Sequence, residues 1–171
     1  NLTVTSGFTS FSFATTPINS GGSYAVSVLT NPSSPTQTCS VSNGSGTITA
    51  NVTNVTITCT TQSFTVGGSV SGLAGSGLVL RNNGGNNLSI AADGTFTFST
   101  AVTSGQPYAV TVFAQPTSPA QTCTIANGTG TMGGANITNV TVNCSDTTYT
   151  VGGTVSGLVG SYYRGLCDYL A

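Results

Sequence analysis

The chain of 171 residues contains no lysine, glutamate, histidine or tryptophan, and only 3% of it is charged. The side chains that carry charge at neutral pH are Arg81, Arg164, Asp93, Asp146 and Asp168, for a formal net charge of −1. Two arginines cannot build the basic surface that a phosphate backbone requires, so nucleic acid is excluded as a partner. Without histidine there is no Ser-His-Asp or Cys-His machinery, and without lysine no Ser-Lys dyad. A carboxylate pair for glycoside chemistry would have to be drawn from a turn residue (Asp93), a linker residue (Asp146) and a tail residue (Asp168). The chain therefore reads as non-enzymatic, with no cofactor. A zinc site would need thiolates alone, at unsuitable spacing and with no CxxC, so no metal is expected either. No run of about 18 apolar residues exists, and no charged segment followed by an apolar one opens the chain. Membrane insertion is not expected.

What is present is Thr, Ser, Asn and Gly interleaved with Val, Ile, Phe and Tyr, a composition that favours strands. It is also repeated. FTVGGSVSGL from Phe64 to Leu73 returns as YTVGGTVSGL from Tyr149 to Leu158, eight of ten positions identical at an offset of 85 (149 − 64). Tyr24 and Tyr108, like Cys39 and Cys123, lie 84 apart, and Cys59 and Cys144 lie 85 apart. A fixed period of this length marks stacked structural units. The spacing divides the chain into residues 1–62, an incomplete repeat lacking its first strands; residues 63–148, a complete repeat; and residues 149–171, the opening strand or strands of a further one.

Within the complete repeat, seven short alternating segments are predicted as strands: FTVGGSVSG, GLVLRN, NLSI, TFTFS, YAVTVFA, TCTIA and NVTVNC. Turn residues separate them, with Asp93-Gly94 and Asn127-Gly128 as hairpin signals and Asn82 to Asn87 as a Gly-rich turn. The expected fold is all-β, with tandem antiparallel immunoglobulin-like or prealbumin-like sandwiches. In residues 1–62, Asn1 to Val4 correspond to Asn87 to Ile90, and Phe11 and Phe13 to Phe96 and Phe98, predicting equivalent strands. Val52 and Ile137 fall out of phase with the residues after them, which calls for a bulge near Thr53 and Thr138. The Phe and Tyr residues alternate toward the core, leaving no aromatic platform for a sugar.

Four of the five cysteines form two equivalent pairs, Cys39 with Cys59 and Cys123 with Cys144, at separations of 20 and 21. They read as disulfides in an oxidising compartment, each cysteine in phase with inward-facing apolar residues. Cys167 is left over, either a free buried thiol or an intermolecular bridge. Nine Asn-X-Ser/Thr sequons, at Asn1, Asn43, Asn51, Asn54, Asn87, Asn127, Asn136, Asn139 and Asn143, leave glycosylation open.

The segments TVGGTVSGL, FTF, YAVTV, QTC and NVTNVTV-x-C resemble tandem β-sandwich modules of large secreted bacterial surface proteins. More distantly, the pattern is similar to prealbumin-like, collagen-adhesin B-type and immunoglobulin-like repeats. The resemblance covers residues 63–148 throughout and residues 1–62 in their later part. It implies extracellular display at a cell surface, in a filament or an adhesin stalk, with no ligand specified. Collagen-adhesin modules often carry a Lys-to-Asn or Lys-to-Asp cross-link, which a chain without lysine cannot form. The tail from Tyr149 to Ala171 spans 23 residues (171 − 149 + 1), the same length as the stretch Phe64 to Asn86 that residues 1–62 lack. Two readings follow: one chain's tail completes the next chain's head by strand addition, or the chain is a window on a longer covalent array. The inter-unit strands then centre on Phe64, Val66 and Val70 and on Tyr149, Val151 and Val155. The expected partners are copies of the chain or neighbouring repeats. The alternative function is a binding module, lectin-like or an adhesin domain, that holds a glycan or a host surface.

Overall fold

Thr-Val alternation and the near-absence of helix-favouring residues leave the backbone to satisfy its hydrogen bonds between strands. A computed structural model of the chain describes residues 1–13, 17–157, 159 and 160. The described residues are all-β, without a helix. Residues 1–62 contribute four strands: β1 (Ser23–Ala25), β2 (Gln37–Ser42), β3 (Ser45–Thr47) and β4 (Thr56–Thr61). They pair antiparallel as two ribbons, β1 with β3 and β2 with β4.

The stretch from Ser63 adds β5 (Ser63–Phe64), β6 (Val66–Ser71), β7 (Leu78–Asn82), β8 (Asn86–Ile90), β9 (Gly94–Thr97) and β10 (Val102–Thr103). It then continues with β11 (Pro107–Ala114), β12 (Gln121–Ala126), β13 (Thr129–Thr131) and β14 (Ile137–Asp146). Two four-stranded sheets result, ordered β13-β11-β7-β8 and β12-β14-β6-β9, and a small β5–β10 pair stands at one end. The core lies between the two sheets. Leu78, Leu80, Tyr108 and Val110 come from one side, Val66, Val70, Phe96, Val140 and Val142 from the other, all buried. Phe98 and Met132 complete it, and Phe96 meets Phe98 edge to face at 5.8 Å between centroids. The alternation that put these residues on one face is the period of two of a strand.

The seven strands expected in the complete repeat are β6, β7, β8, β9, β11, β12 and β14; β5, β10 and β13 are short additions. One expectation needs correcting. The sandwich is not purely antiparallel, because β6 and β14, its first and last long strands, lie side by side and parallel. Pairing of the two ends of a unit is a non-local choice that alternation cannot encode. Their register shifts between Ile137 and Val140, where the phase of the apolar residues called for a bulge.

The same pairings recur one period earlier. Tyr24 opposes Gly46 as Tyr108 opposes Gly130, and Val41 opposes Ile57 as Ile125 opposes Val142. The head residues differ from expectation: Leu2 to Val4 and Phe11 to Phe13 are not strands, although Phe11 and Phe13 keep the edge-to-face contact of their counterparts at 5.9 Å. In the second unit Phe96 hydrogen-bonds in register with Gly68 of β6. Among the described residues, no strand equivalent to β6 runs beside Phe11.

Candidate functional site

The two predicted disulfides are formed, Cys39–Cys59 and Cys123–Cys144. Each joins directly opposed residues of neighbouring strands, with Cα atoms 4.0 and 3.9 Å apart. Their surroundings differ. Cys123 is buried in the sandwich and Cys144 is half-buried, whereas Cys39 is half-buried and Cys59 exposed. The inward orientation predicted for all four therefore does not amount to burial in the first unit, where no second four-stranded layer covers β2 and β4. Cys167, the fifth cysteine, lies outside the described residues.

A polar clasp that the sequence reading did not single out holds the entry strand of the second unit. Gln121, 4% exposed, accepts from the backbone N–H of Ala74 (2.9 Å) and Gly75 (2.8 Å) through Oε1. Its Nε2 donates to the carbonyl of Gly72 (2.9 Å) and to Asp146 Oδ1 (2.8 Å). Asp93 grips the same turn from the other side, accepting from Gly72 N (2.9 Å) and Leu73 N (2.8 Å). Asp93 is thus more than a turn residue: its carboxylate ties the β8–β9 connection to the end of β6. The signal was available, since Gln37 and Gln121 both stand two residues before a paired cysteine. In the first unit, Gln37 Nε2 donates to Thr61 Oγ1 (3.0 Å), the position equivalent to Asp146.

The two units meet end to end. Ser104 is buried, its N–H donates to the carbonyl of Gln62 (2.8 Å), and its Oγ accepts from Thr36 N–H (2.9 Å). Gln62 N–H in turn donates to Thr36 O (2.9 Å), so three backbone segments are locked at one point. The Pro35 side chain approaches Gly105, whose φ of +87° class is met here by +85°, and the Thr36 side chain approaches Gly134. The matching parts of this junction exist at the free ends of both units. Gly21 (φ +87°) follows Ser20 in the same turn as Gly105 follows Ser104, with Gly21 N bonded to Ile48 O as Gly105 N is to Met132 O, both at 2.8 Å. At the other end, Thr147 N bonds Ala120 O (3.0 Å) as Gln62 N bonds Thr36 O.

Of the residues expected to lie in inter-unit strands, Val66 and Val70 are buried in the core of the second unit and Phe64 packs against that core. Their segment leaves β4 and enters the second sandwich directly. Their counterparts are uncovered: Tyr149 is 78% exposed, Val151 fully exposed and Val155 69% exposed. The head carries the converse feature, an apolar hollow of about 310 Å³ lined by Leu2, Val4, Phe8 and Phe11 among others.

A second feature is a neutral, amide-lined groove of about 570 Å³ beside the β7–β8 turn, bordered by Asn82, Asn83, Asn86, Asn87 and Gln106. The buried Nδ2 of Asn86 has no hydrogen-bond partner among the described residues. The Asn82 to Asn87 segment forms the expected hairpin turn, with Asn83 at φ +50° and Gly84 at +72°. On the outer face of this sheet, Phe113 is 54% exposed, against the expectation that every Phe points inward. The Arg81 guanidinium lies 3.5 Å from its ring centroid, and Arg81 Nε donates to Asn87 Oδ1 (2.7 Å). The register shift in β11 between Val112 and Ala114 is what turns Phe113 outward.

Among the described residues, no group of three or more His, Cys, Asp or Glu could hold a metal ion, and no helix is long and apolar enough to cross a membrane. Two disulfides place the chain in a non-reducing setting. In comparisons with protein-family models, curated proteins and solved structures, nothing matches this chain. What the arrangement offers chemically is association: backbone edges, apolar faces and neutral amides.

Proposed function

We propose that the protein is a structural module of an extracellular bacterial filament, fibre or adhesin stalk, assembled head to tail from disulfide-stapled β-sandwich units. It is not an enzyme on this reading, and its partners are copies of itself or neighbouring repeats of a longer chain at the cell surface. The observation that carries the reading is the Ser104 junction, because its donor half (Thr36 and Gln62) and its acceptor half (Ser104 and Gly105) have counterparts at Ala120 and Thr147 and at Ser20 and Gly21. A contact whose two halves sit on opposite ends of a module propagates rather than closes. Disulfides supply covalent resistance to pulling in place of lysine cross-links.

Electron microscopy of native material, followed by non-reducing denaturing gels with and without boiling, tests this. Filaments that collapse to a chain of about 17 kDa would show subunit polymerisation, and filaments that persist as one very large chain would show a covalent array. Discrete particles would refute both. A second reading, a glycan-binding module, is favoured by one observation: the amide groove with its unpartnered Asn86 Nδ2, which suits the hydroxyls of a neutral sugar. Saturable glycan binding by a monomer, lost in Asn86→Ala, would select it.

A further inference from the structure

We infer that the half-sandwich formed by residues 1–62 takes Tyr149 to Leu158 of a second copy of this chain as an added strand, parallel to β4 and in one defined register. The inference rests on the head-to-tail reading and specifies its contact. Its template is the β6–β14 pair of the second unit, where Ile137 opposes Val66, Thr141 opposes Ser69 and Val142 opposes Val70. Shifted by the repeat, Val52 opposes Val151, Thr56 opposes Thr154 and Ile57 opposes Val155.

Four observations converge on that register. First, the segment is uncovered where its counterpart is not: Val151 and Val155 are exposed, while Val66 and Val70 are buried. Second, the acceptor strand exists already, since β4 holds the same disulfide and the same pairing with β2 that β14 holds with β12. Third, the far side of the slot is the exposed apolar hollow around Leu2, Val4 and Phe11, where the second unit places β8 and β9. Fourth, Gln37 stands on β2 where Gln121 stands on β12, ready to take Gly157 and Val159 as Gln121 takes Gly72 and Ala74. The junction parts agree: the same placement brings Ser20 of the second copy to Ala120 and Thr147. Strand addition of this kind draws affinity from the backbone and specificity from alternate side chains.

The glycines give a test that folding does not confound. A Cβ on Gly68 would run into the Val140 carbonyl oxygen of the parallel neighbour, whereas a Cβ on Gly153, its counterpart in the tail, meets nothing within 4 Å. Gly153→Ala therefore leaves the single chain intact and blocks docking against Val55 of the acceptor.

The oxidised 171-residue chain is compared with its Gly153→Ala variant by light scattering over a concentration series. A labelled peptide, YTVGGTVSGL, is titrated against the wild-type chain beside its own glycine-to-alanine form. In a Cys167→Ser background, Thr56→Cys with Thr154→Cys reads the register, as their counterparts Thr141 and Ser69 are paired neighbours on the outer face. Expected are concentration-dependent oligomers reduced by Gly153→Ala, peptide binding weakened at least about tenfold by the same change, and a non-reducing ladder from cross-links between copies. The inference is overturned by equal binding of the two peptides or by a monomeric cross-link within one chain. Oligomers that persist in Gly153→Ala without the cross-link would also overturn it, while leaving the head-to-tail reading standing.

Discussion

Replacing Gln121 with leucine removes four hydrogen bonds at a site that is almost fully buried. Leucine retains most of the volume, so the loss is polar rather than steric. Each ordinary hydrogen bond contributes about 1 kcal/mol net, and a buried donor left unpaired costs about 1–3 kcal/mol. The N–H of Gly75 is in that position: a Cβ on Gly75 would already collide with the Pro119 carbonyl oxygen, so the backbone there has no room to turn toward water. Asp146, by contrast, is exposed and exchanges its partner for solvent. The sum comes to about 3 kcal/mol, a fall in Tm of about 15 °C for a unit of this size. Gln37→Leu is the internal control, since Gln37 holds one partly buried bond to Thr61, and it should cost about 1 kcal/mol or less. Thermal and urea unfolding of the oxidised, dilute chain measure both. A Gln121→Leu cost below about 1 kcal/mol, or equal costs for the two variants, would refute the clasp.

Removing the Cys123–Cys144 bridge by paired alanine substitution frees a loop of about 20 residues in the unfolded chain and should cost about 3 kcal/mol, read as a lower urea midpoint at unchanged slope. The Cys39–Cys59 bridge closes a loop of nearly the same length, and its removal should lower the stability of the first unit while the transition of the second stays close to that of the intact chain. Gly68→Ala forces a side chain into the β6–β14 contact and should destabilise the second unit by about 3 kcal/mol; Gly133→Ala, which meets nothing within 4 Å, should change stability by less than about 0.5 kcal/mol. Asp93→Ala unties Gly72 and Leu73 from the β8–β9 turn at a partly solvated site, a loss of about 1 kcal/mol that appears first as faster amide exchange at those two residues.

Local chemistry made much of this molecule legible in advance. A period of two in Phe96-Thr97-Phe98 and in Tyr108 to Val112 marks strands and their inward faces because a pleated backbone alternates its side chains and nothing longer-ranged is required. The repeat offset paired the cysteines, since two equivalent pairs in an array have one arrangement that preserves the repeat. The phase slip before Val140 announced an irregularity in β14. The charge inventory excluded nucleic acid and triad chemistry without reference to any fold.

Other features belong to contacts between residues far apart in the chain, where alternation is silent. The parallel pairing of β6 with β14 joins residues about 70 positions apart, and a strand's side chains alternate in the same way whichever direction its neighbour runs. Gln121 looked like any polar residue at a strand start until the fold brought Ala74 and Gly75 over it. Phe113 follows the inward alternation of its strand on paper, and a register shift at that point turns it to solvent beneath Arg81. Whether a cysteine in phase with the core is buried depends on a second layer: β12 and β14 have one and Cys123 is covered, β2 and β4 lack it and Cys59 is exposed. The sequence by itself determined the strands, their faces, the disulfides and the repeat, because these follow from side-chain period and spacing along one backbone. Tertiary structure alone decided which strands are neighbours, which amides are buried and which apolar faces stay open, because those depend on what the rest of the chain places against them.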